Sequence, residues 1–358
     1  MPATNTRTRF GKSEAPQRND RMKNIRAVLL LSGLLFAATL PVCAADQKSF
    51  LGEWALYPPG GQAGWLGVGP GAAGVKAEMM WIGGSVLPLD SAKVADGKLL
   101  LTRSREVDGK AVDGKPAKIK LVETITITLD GTRLKCVSVT PKADGQGEDR
   151  IEFAGKRLPP MPPAPDLSKV KFGEPIQLFN DRTLDGWRLT DSNADNGWGV
   201  RDGILVCDPK QEEGRPHKHF GNLRTVAEFE DFSLYAETRV AKDGNSGIYL
   251  RGIYEVQVYD SFGKPLDSHN MGALYSRVTP TASAEKPAGE WQTLDITLVD
   301  RHVTVVLNGK TIIENQPVPG PTGGALWSEV DRPGPIYLQG DHTGIEYRNL
   351  VLRPVIGR

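Results

Sequence analysis

Along most of this chain apolar side chains recur at every second position, the spacing of a half-buried strand rather than a helix. Phe232, Leu234, Ala236, Thr238 and Val240 alternate with Ser233, Tyr235, Glu237 and Arg239. From Glu123 to Leu129 the residues Ile125, Ile127 and Leu129 fall on one face, with threonines on the other. Between such runs stand pairs that accept the positive φ angles of tight hairpins. Asp96-Gly97, Asp108-Gly109, Asp113-Gly114 and Asp130-Gly131 mark four expected reversals in the first half. Asp300-Arg301 separates Leu294–Val299 from His302–Leu307, and Asn308-Gly309 turns the chain into Thr311-Ile312-Ile313. No run of helical period exceeds two turns. The pattern predicts an all-β protein.

Leu158 to Pro165 reads Leu-Pro-Pro-Met-Pro-Pro-Ala-Pro. Proline has no amide hydrogen to give a strand ladder and favours a stiff extended connection. The segment therefore divides the chain into residues 46–157, a small antiparallel β barrel or sandwich of accessory character, a linker over 158–171, and residues 172–354. The last part, with about a dozen predicted strands, suits a two-sheet jelly-roll sandwich whose curved face holds an extended ligand. The 40 glycines and 26 prolines of this 358-residue chain fit short strands joined by turns.

The start of the chain has a different character. Arg21, Lys23 and Arg26 precede an uncharged run from Ala27 to Leu40, then Pro41-Val42-Cys43-Ala44-Ala45. A basic stretch, a short apolar core and small residues at a cut site form an export signal. Residues 1–45 are thus expected to be a signal peptide with an upstream extension. The run is too short for a membrane span of about 20 residues, and periplasmic or extracellular placement follows. Cys43 after Leu40-Pro41-Val42 is similar to a lipoprotein acylation site, which makes a lipid anchor the alternative. Removing these residues takes away seven basic and two acidic side chains and leaves a mildly acidic chain. Such a charge gives no field for nucleic acid. Cys136 and Cys207 then remain, and both read as buried small side chains rather than a disulfide pair. Gly52-Glu53-Trp54 is similar to the Gly-x-Trp opening of small ligand-binding barrels, although Trp54 reads as a core residue.

A set of blocks in the second half carries more information. Leu178-Phe179-Asn180-Asp181 is followed by Leu184-Asp185-Gly186-Trp187, Trp198-Gly199-Val200-Arg201-Asp202-Gly203 and Asp231-Phe232-Ser233-Leu234. Gly244-Asn245-Ser246-Gly247-Ile248-Tyr249-Leu250-Arg251-Gly252 runs into Tyr254-Glu255-Val256-Gln257-Val258. Then come Lys286-Pro287-Ala288-Gly289-Glu290-Trp291, Leu307-Asn308-Gly309, Leu338-Gln339-Gly340-Asp341-His342 and Glu346-Tyr347-Arg348-Asn349. In this order and spacing the chain resembles the 3-keto-disaccharide hydrolase family, also described as 3-keto-glucoside lyases and hydratases, over about residues 172–354. The resemblance implies a concanavalin-like jelly roll, usually exported, acting on oxidised (3-keto) glucosides or disaccharides. It also implies functional coupling to a sugar 3-dehydrogenase.

The chemistry such an enzyme needs can be stated. A ketone at C3 acidifies the hydrogen on C2; a base removes it, the C1–oxygen bond breaks, and water adds to the unsaturated keto sugar. One base, an acid or water at the leaving oxygen and stabilisation of the enediolate are required. A divalent metal cation held by His342 and Glu255 would supply that stabilisation.

Alternation over Tyr254–Asp260 puts Glu255, Gln257 and Tyr259 on one face and Val256 and Val258 on the other. Tyr249 and Arg251 likewise oppose Ile248 and Leu250. If these strands pair, Tyr249, Arg251, Glu255 and Gln257 form a polar patch with aromatic walls, as a sugar site requires. His342, at a strand end entering a turn, is the candidate base or metal ligand. Gln339 and Asp341 are placed to orient it or contact hydroxyls, and Asn245 sits in a Gly-Asn-Ser-Gly turn. Arg348 is a candidate substrate contact, with a structural pair to Glu346 as its alternative. His217 and His219 read as members of a solvated charged loop. A carbohydrate-binding protein without chemistry would use the same face. A retaining glycosidase would need a second carboxylate, and Glu255 is followed by Gln257 and Tyr259 instead.

Overall fold

In a computed structural model the described residues are 44–72, 74–110 and 116–358. All of the export signal expected over residues 1–45 except Ala44 and Ala45 lies outside them, Cys43 included, as does Asp113-Gly114. No helix among the described residues is long and apolar enough to cross a membrane. A short helix, α1 (Ala44–Phe50), leads into strands.

The first sheet is an antiparallel meander of β1 (Gly52–Tyr57), β2 (Gly64–Gly71), β3 (Gly74–Trp81), β4 (Leu87–Pro88), β5 (Ser91–Ala95), β6 (Lys98–Lys110), β7 (Pro116–Asp130), β8 (Arg133–Pro141) and β9 (Glu148–Arg157). Its spatial order is β4-β3-β2-β1-β9-β8-β7-β6-β5. Leu89 N bonds back to Ala77 O and Asp90 N to Thr102 O, both 2.9 Å, so the sheet curls almost into a barrel. Trp54, Leu66, Leu101, Ile125 and Ile127 fill its interior. Each such side chain contributes roughly 1.5–3 kcal/mol by leaving water. Asp96-Gly97 and Asp130-Gly131 turn the chain as expected, between β5 and β6 and between β7 and β8. Asp108-Gly109 does not. It lies inside β6, where Asp108 pairs with Lys118 at 2.6 Å and a Cβ on Gly109 would fall on Ile119. The glycine there admits a neighbour's side chain rather than making a turn.

The remaining strands form a two-layer sandwich. One layer, ordered β13-β14-β23-β16-β19-β20-β21, contains β13 (Trp198–Arg201), β14 (Ile204–Cys207), β16 (Phe232–Val240), β19 (Gln292–Val299), β20 (His302–Leu307), β21 (Lys310–Pro317) and β23 (Ile345–Gly357), with β10 (Lys171–Phe172) and β11 (Ile176–Gln177) pairing on β23. The other runs β12 (Trp187–Leu189), β15 (Leu223–Thr225), β22 (Tyr337–Leu338), β17 (Asn245–Leu250) and β18 (Tyr254–Tyr259). Along β16 buried and half-buried residues alternate without a break. Asp300 and Arg301 take φ of 48° and 60°, and Asn308 and Gly309 take 50° and 80°, the paired positive angles of tight hairpins. The protein is all-β, with the jelly-roll sandwich predicted from alternation. Cys136 and Cys207 are free and buried, and burial pushes both thiols up to about 12.

The two halves share a core. Ala55, Trp65 and Met80 point out of the first sheet and join the apolar interior of the sandwich. The Arg277 guanidinium lies over the Trp65 ring at 4.2 Å and donates to Pro321 O at 2.6 Å. Ser328 Oγ donates to Leu56 O at 2.7 Å, and Arg301 donates to Pro159 O at 3.0 Å, which fixes the proline segment. Burial in this interface pushes the Glu53 carboxyl up to about 7, although Arg277 and Arg301 oppose the rise.

Candidate active site

The β17–β18 hairpin brings Tyr249 opposite Glu255 and Gly247 opposite Gln257. All four face away from the sandwich interior, as alternation predicts, yet Tyr249, Glu255 and Gln257 are each at most 4% exposed. Tyr337 of β22 pairs with Tyr249 in register, and their rings stack at 4.0 Å and 10°. A cavity of about 300 Å³ opens over this floor, walled by Asn222, Asn245, Tyr275, Gly323, Gly324, Gln339, Asp341 and His342.

Glycines make room for the floor. A Cβ on Gly247 would fall on the Glu255 carboxyl, 3.0 Å from its Cδ, so only glycine opposite Gln257 lets that acid lie flat across the sheet. A Cβ on Gly340 would stand 2.6 Å from the Trp198 ring, which explains the glycine before Asp341 and His342. Gln257 Nε2, turned to satisfy its neighbours, donates to Ser246 O at 3.0 Å and to Glu255 Oε1 at 3.1 Å. Tyr249 commits its hydroxyl hydrogen to Gly323 O at 2.7 Å. Burial pushes Glu255 up to about 8, with the Asp341 charge adding to the rise and its contact with Tyr249 opposing it. At neutral pH Glu255 is therefore a carboxylic acid, able to donate a hydrogen bond.

His342 is differently placed. Its Nδ1 lies 2.6 Å from Asp341 Oδ1, and its side chain is 46% exposed. Held that way, Nδ1 carries the hydrogen and Nε2 presents a lone pair. The bond to Asp341 raises the imidazole pKa while burial works against it. The loop is pinned from below: Asn245 N donates to Thr343 Oγ1 at 2.7 Å, and Thr343 Oγ1 donates back to Asn245 O at 3.0 Å. Gln339 N bonds Gly247 O at 3.0 Å, but Gln339 Oε1 is buried with no partner among the described residues. An orphaned acceptor on a cavity wall is a place for a ligand's hydroxyl.

His342, Asp341 and Asn222 also border a second cavity of about 530 Å³, lined by Thr190, Asp191, Gln211, His217, Lys218 and His219 among others. His217 and His219 are exposed, as read from their loop, but they face this cleft. The Asp341–His342 pair thus stands where two cavities meet.

Two predicted residues are not in the site. Arg251 lies past the end of β17 at φ 55°, and its guanidinium donates to Val330 O at 2.8 Å and Arg332 O at 3.0 Å. Alternation fails there because the strand has already turned. Arg348 is on the opposite layer, where it donates to Glu237 Oε2 at 2.6 Å. Glu346 pairs with Arg239 instead of Arg348. The structure adds Asn222, Tyr275 and Tyr337. Tyr337 sits two positions before Gln339, so extending the strand backwards would have found it. Asn222 and Tyr275 come from irregular segments without periodicity.

A cavity of about 300 Å³, floored by stacked aromatic rings and bordered by a buried acid and an oriented imidazole, is thus set on one layer of a β-sandwich. Residues 174–353 match the 3-keto-alpha-glucoside-1,2-lyase-like domain, and the chain belongs to that family. It is 26% identical to a 3-keto-disaccharide hydrolase of Bacteroides thetaiotaomicron, over 39% of this chain and 57% of that protein, and so spans little more than half of that relative. Among solved structures it is similar to a candidate glycosyl hydrolase of Parabacteroides distasonis, at 28% identity and a TM-score of 0.41, covering 56% of this chain and 94% of that one. It is also similar to SCLam, a non-specific endo-beta-1,3(4)-glucanase, at 12% identity and a TM-score of 0.34, covering 56% and 95%.

Proposed function

We propose that this protein cleaves 3-keto-glycosides by elimination and hydration. The observation that carries the reading is the Asp341–His342 pair at the junction of two cavities, the smaller floored by neutral Glu255. The oxidised ring fits the smaller cavity, against the stacked Tyr249 and Tyr337, and the leaving sugar the larger. His342 Nε2 takes the C2 hydrogen as a proton; the C2 electron pair forms the C1=C2 bond as the C1–oxygen bond breaks. The proton on His342 then passes to the departing oxygen. Glu255 donates a hydrogen bond to the C3 oxygen, where negative charge gathers, in a dry setting where such a bond is strong. Water adding at C1, with a proton at C2, completes a net hydrolysis. Asp341 keeps the imidazole in the useful tautomer. The other carboxylate of the pocket is thus engaged as an orienting group, which disfavours a two-carboxylate glycosidase.

A divalent cation at His342 and Glu255 fits this donor set poorly. Among the described residues no three His, Cys, Asp or Glu side chains stand together to hold one, and no step above passes through a metal. The substrate's ketone would be supplied by a sugar 3-dehydrogenase, and the export signal expected at residues 1–45 would place the reaction in the periplasm or outside.

The test uses 3-keto-trehalose and trehalose in deuterated water. The keto sugar should be split with deuterium entering at C2, and trehalose should be left intact. Binding of the keto sugar without consumption would instead make this a carbohydrate-binding protein.

A further inference from the structure

The loop between β3 and β4 leaves the first sheet and reaches the cavity of the second half. Gly83 lines the same cavity as Glu255. Its carbonyl oxygen is so near the 322–324 turn that a Cβ on Gly323 would stand 2.6 Å from it, and Gly323 O is the acceptor that holds Tyr249. Val86 N donates to Ser276 Oγ at 2.9 Å, and the Val86 side chain packs against the sandwich core. Both sides of this contact are strained: Ile82 has φ 48° and Ser276 φ 56°. A β-branched residue at positive φ persists only where its surroundings over-determine it.

Ser85, in the middle of the loop, completes a chain of polar groups. Its Oγ lies 3.1 Å from His269 Nε2 and 3.5 Å from Tyr275 Oη. His269 Nδ1 lies 2.6 Å from Asp267 Oδ1, and the imidazole meets the Tyr275 ring edge-on at 4.7 Å. With Asp267 accepting from Nδ1–H, Nε2 is an acceptor, and the Ser85 hydroxyl hydrogen is shared between it and the Tyr275 oxygen, which leaves the Tyr275 hydroxyl its own hydrogen for a ligand. Tyr275 lines the same cavity as Glu255, and its backbone N bonds Glu255 O at 3.0 Å.

We propose that the Ile82–Val86 loop is a working wall of the pocket, and that Ser85 is a positioning residue that aims the Tyr275 hydroxyl at the bound keto sugar. The first sheet is then a component of the active site, and a specificity-determining one. This rests on the keto-glycoside reading for the identity of the ligand. The reach from Asp267 through His269 and Ser85 to Tyr275 crosses both halves of the chain, so neither half alone sets the phenol.

The full-length chain tests this with 3-keto-trehalose. Kd is measured in an E255Q background by stopped-flow fluorescence, faster than the slowed turnover consumes the ligand, and kcat and KM are measured without that change. Because one aimed hydrogen bond is worth about 1 kcal/mol, S85A and Y275F should each raise Kd and KM about 5–10-fold. The S85A/Y275F pair should bind no worse than Y275F alone, and S85T should restore affinity. If Ser85 merely docks the two halves, S85A will lower the thermal midpoint with Kd and KM unchanged, or the two losses will add, and the proposal is overturned. Binding by E255Q with no turnover by the parent chain overturns the reaction but leaves the loop assignment to be read from Kd. Absence of binding overturns both.

Discussion

The two layers of the sandwich carry similar residue types and use them in opposite ways. On the β16–β23 layer every charge the sequence offers as a candidate is matched by another side chain. Arg348 meets Glu237, Arg239 meets Glu346, and both guanidiniums cover Trp291, at 4.1 and 4.8 Å. Although burial opposes it, hydrogen bonds from Asn349, Arg348 and Tyr235 hold the Glu237 carboxyl below the usual range. On the β17–β18 layer Glu255 is buried and moves up to about 8 with, among the described residues, no cation beside it and no partner for Gln339 Oε1. A paired charge on a sheet face stabilises that face a little; a buried acid without a cation to pair it is held at a cost, and so points to chemistry.

The sharpest way to break this contrast is to remove the titratable groups of the pocket. H342A should reduce turnover of a 3-keto-glycoside by about 10²–10⁴, the usual worth of a positioned base. E255Q should reduce it by about 10² or more, as loss of a strong donor to a developing oxyanion does. Both variants should keep the wild-type circular dichroism spectrum, and unchanged rates in either would remove the distinction between the layers. The pH profile gives the next largest effect. Glu255 must be protonated to donate, so the rate should fall about tenfold per unit above pH 8. That alkaline limb should be missing from E255Q. A limb that persists in the variant would belong to another group.

Much of this contrast was legible beforehand, because a strand's two-residue period assigns faces with no knowledge of partners. Glu255, Gln257 and Tyr249 come from that rule, and His342 from its place at a strand end. The rule has no term for where a strand stops, so Arg251 was carried onto a face it never reaches. Nor does it say which layer a strand joins, so it leaves Arg348 open between a substrate contact and a structural pair; β23 lies between β14 and β16, in the layer opposite β17. Asn222, Tyr275 and the loop bearing Ser85 arrive through irregular segments, where side-chain direction depends on tertiary contacts rather than on period.

Stability offers a third, smaller contrast. The folded-state pKa of Glu255, about 8, lies above the ordinary carboxylate value of 4.5, so between those values the folded protein keeps a proton that the unfolded chain has shed. Its contribution is complete below about pH 4.5 and is lost as pH rises toward 8. Glu53, pushed to about 7, acts in the same direction over a narrower window. E255Q has no such proton to keep. Relative to wild type it should gain roughly 1–3 kcal/mol between pH 5 and pH 8, read as a difference in urea midpoints at the two pH values. A constant difference would mean that Glu255 ionises normally, and the neutral-acid role would fall with it.

The least change is expected from the other layer. R348A leaves Glu237 with hydrogen bonds from Tyr235, 2.9 Å away, and Asn349, 2.8 Å away, so the acid is not stranded. Arg348 is 40% exposed, and water screens much of its attraction. The cost should therefore be about 1 kcal/mol or less, part of it from packing lost over Trp291. Keto-glycoside turnover by R348A should equal that of wild type, in kcat and in KM alike. A tenfold rise in KM with normal stability would show Arg348 reaching the ligand across the sandwich. That would demand a β23 register different from the one that pairs Arg348 with Glu237 and turns Tyr347 inward against Trp198.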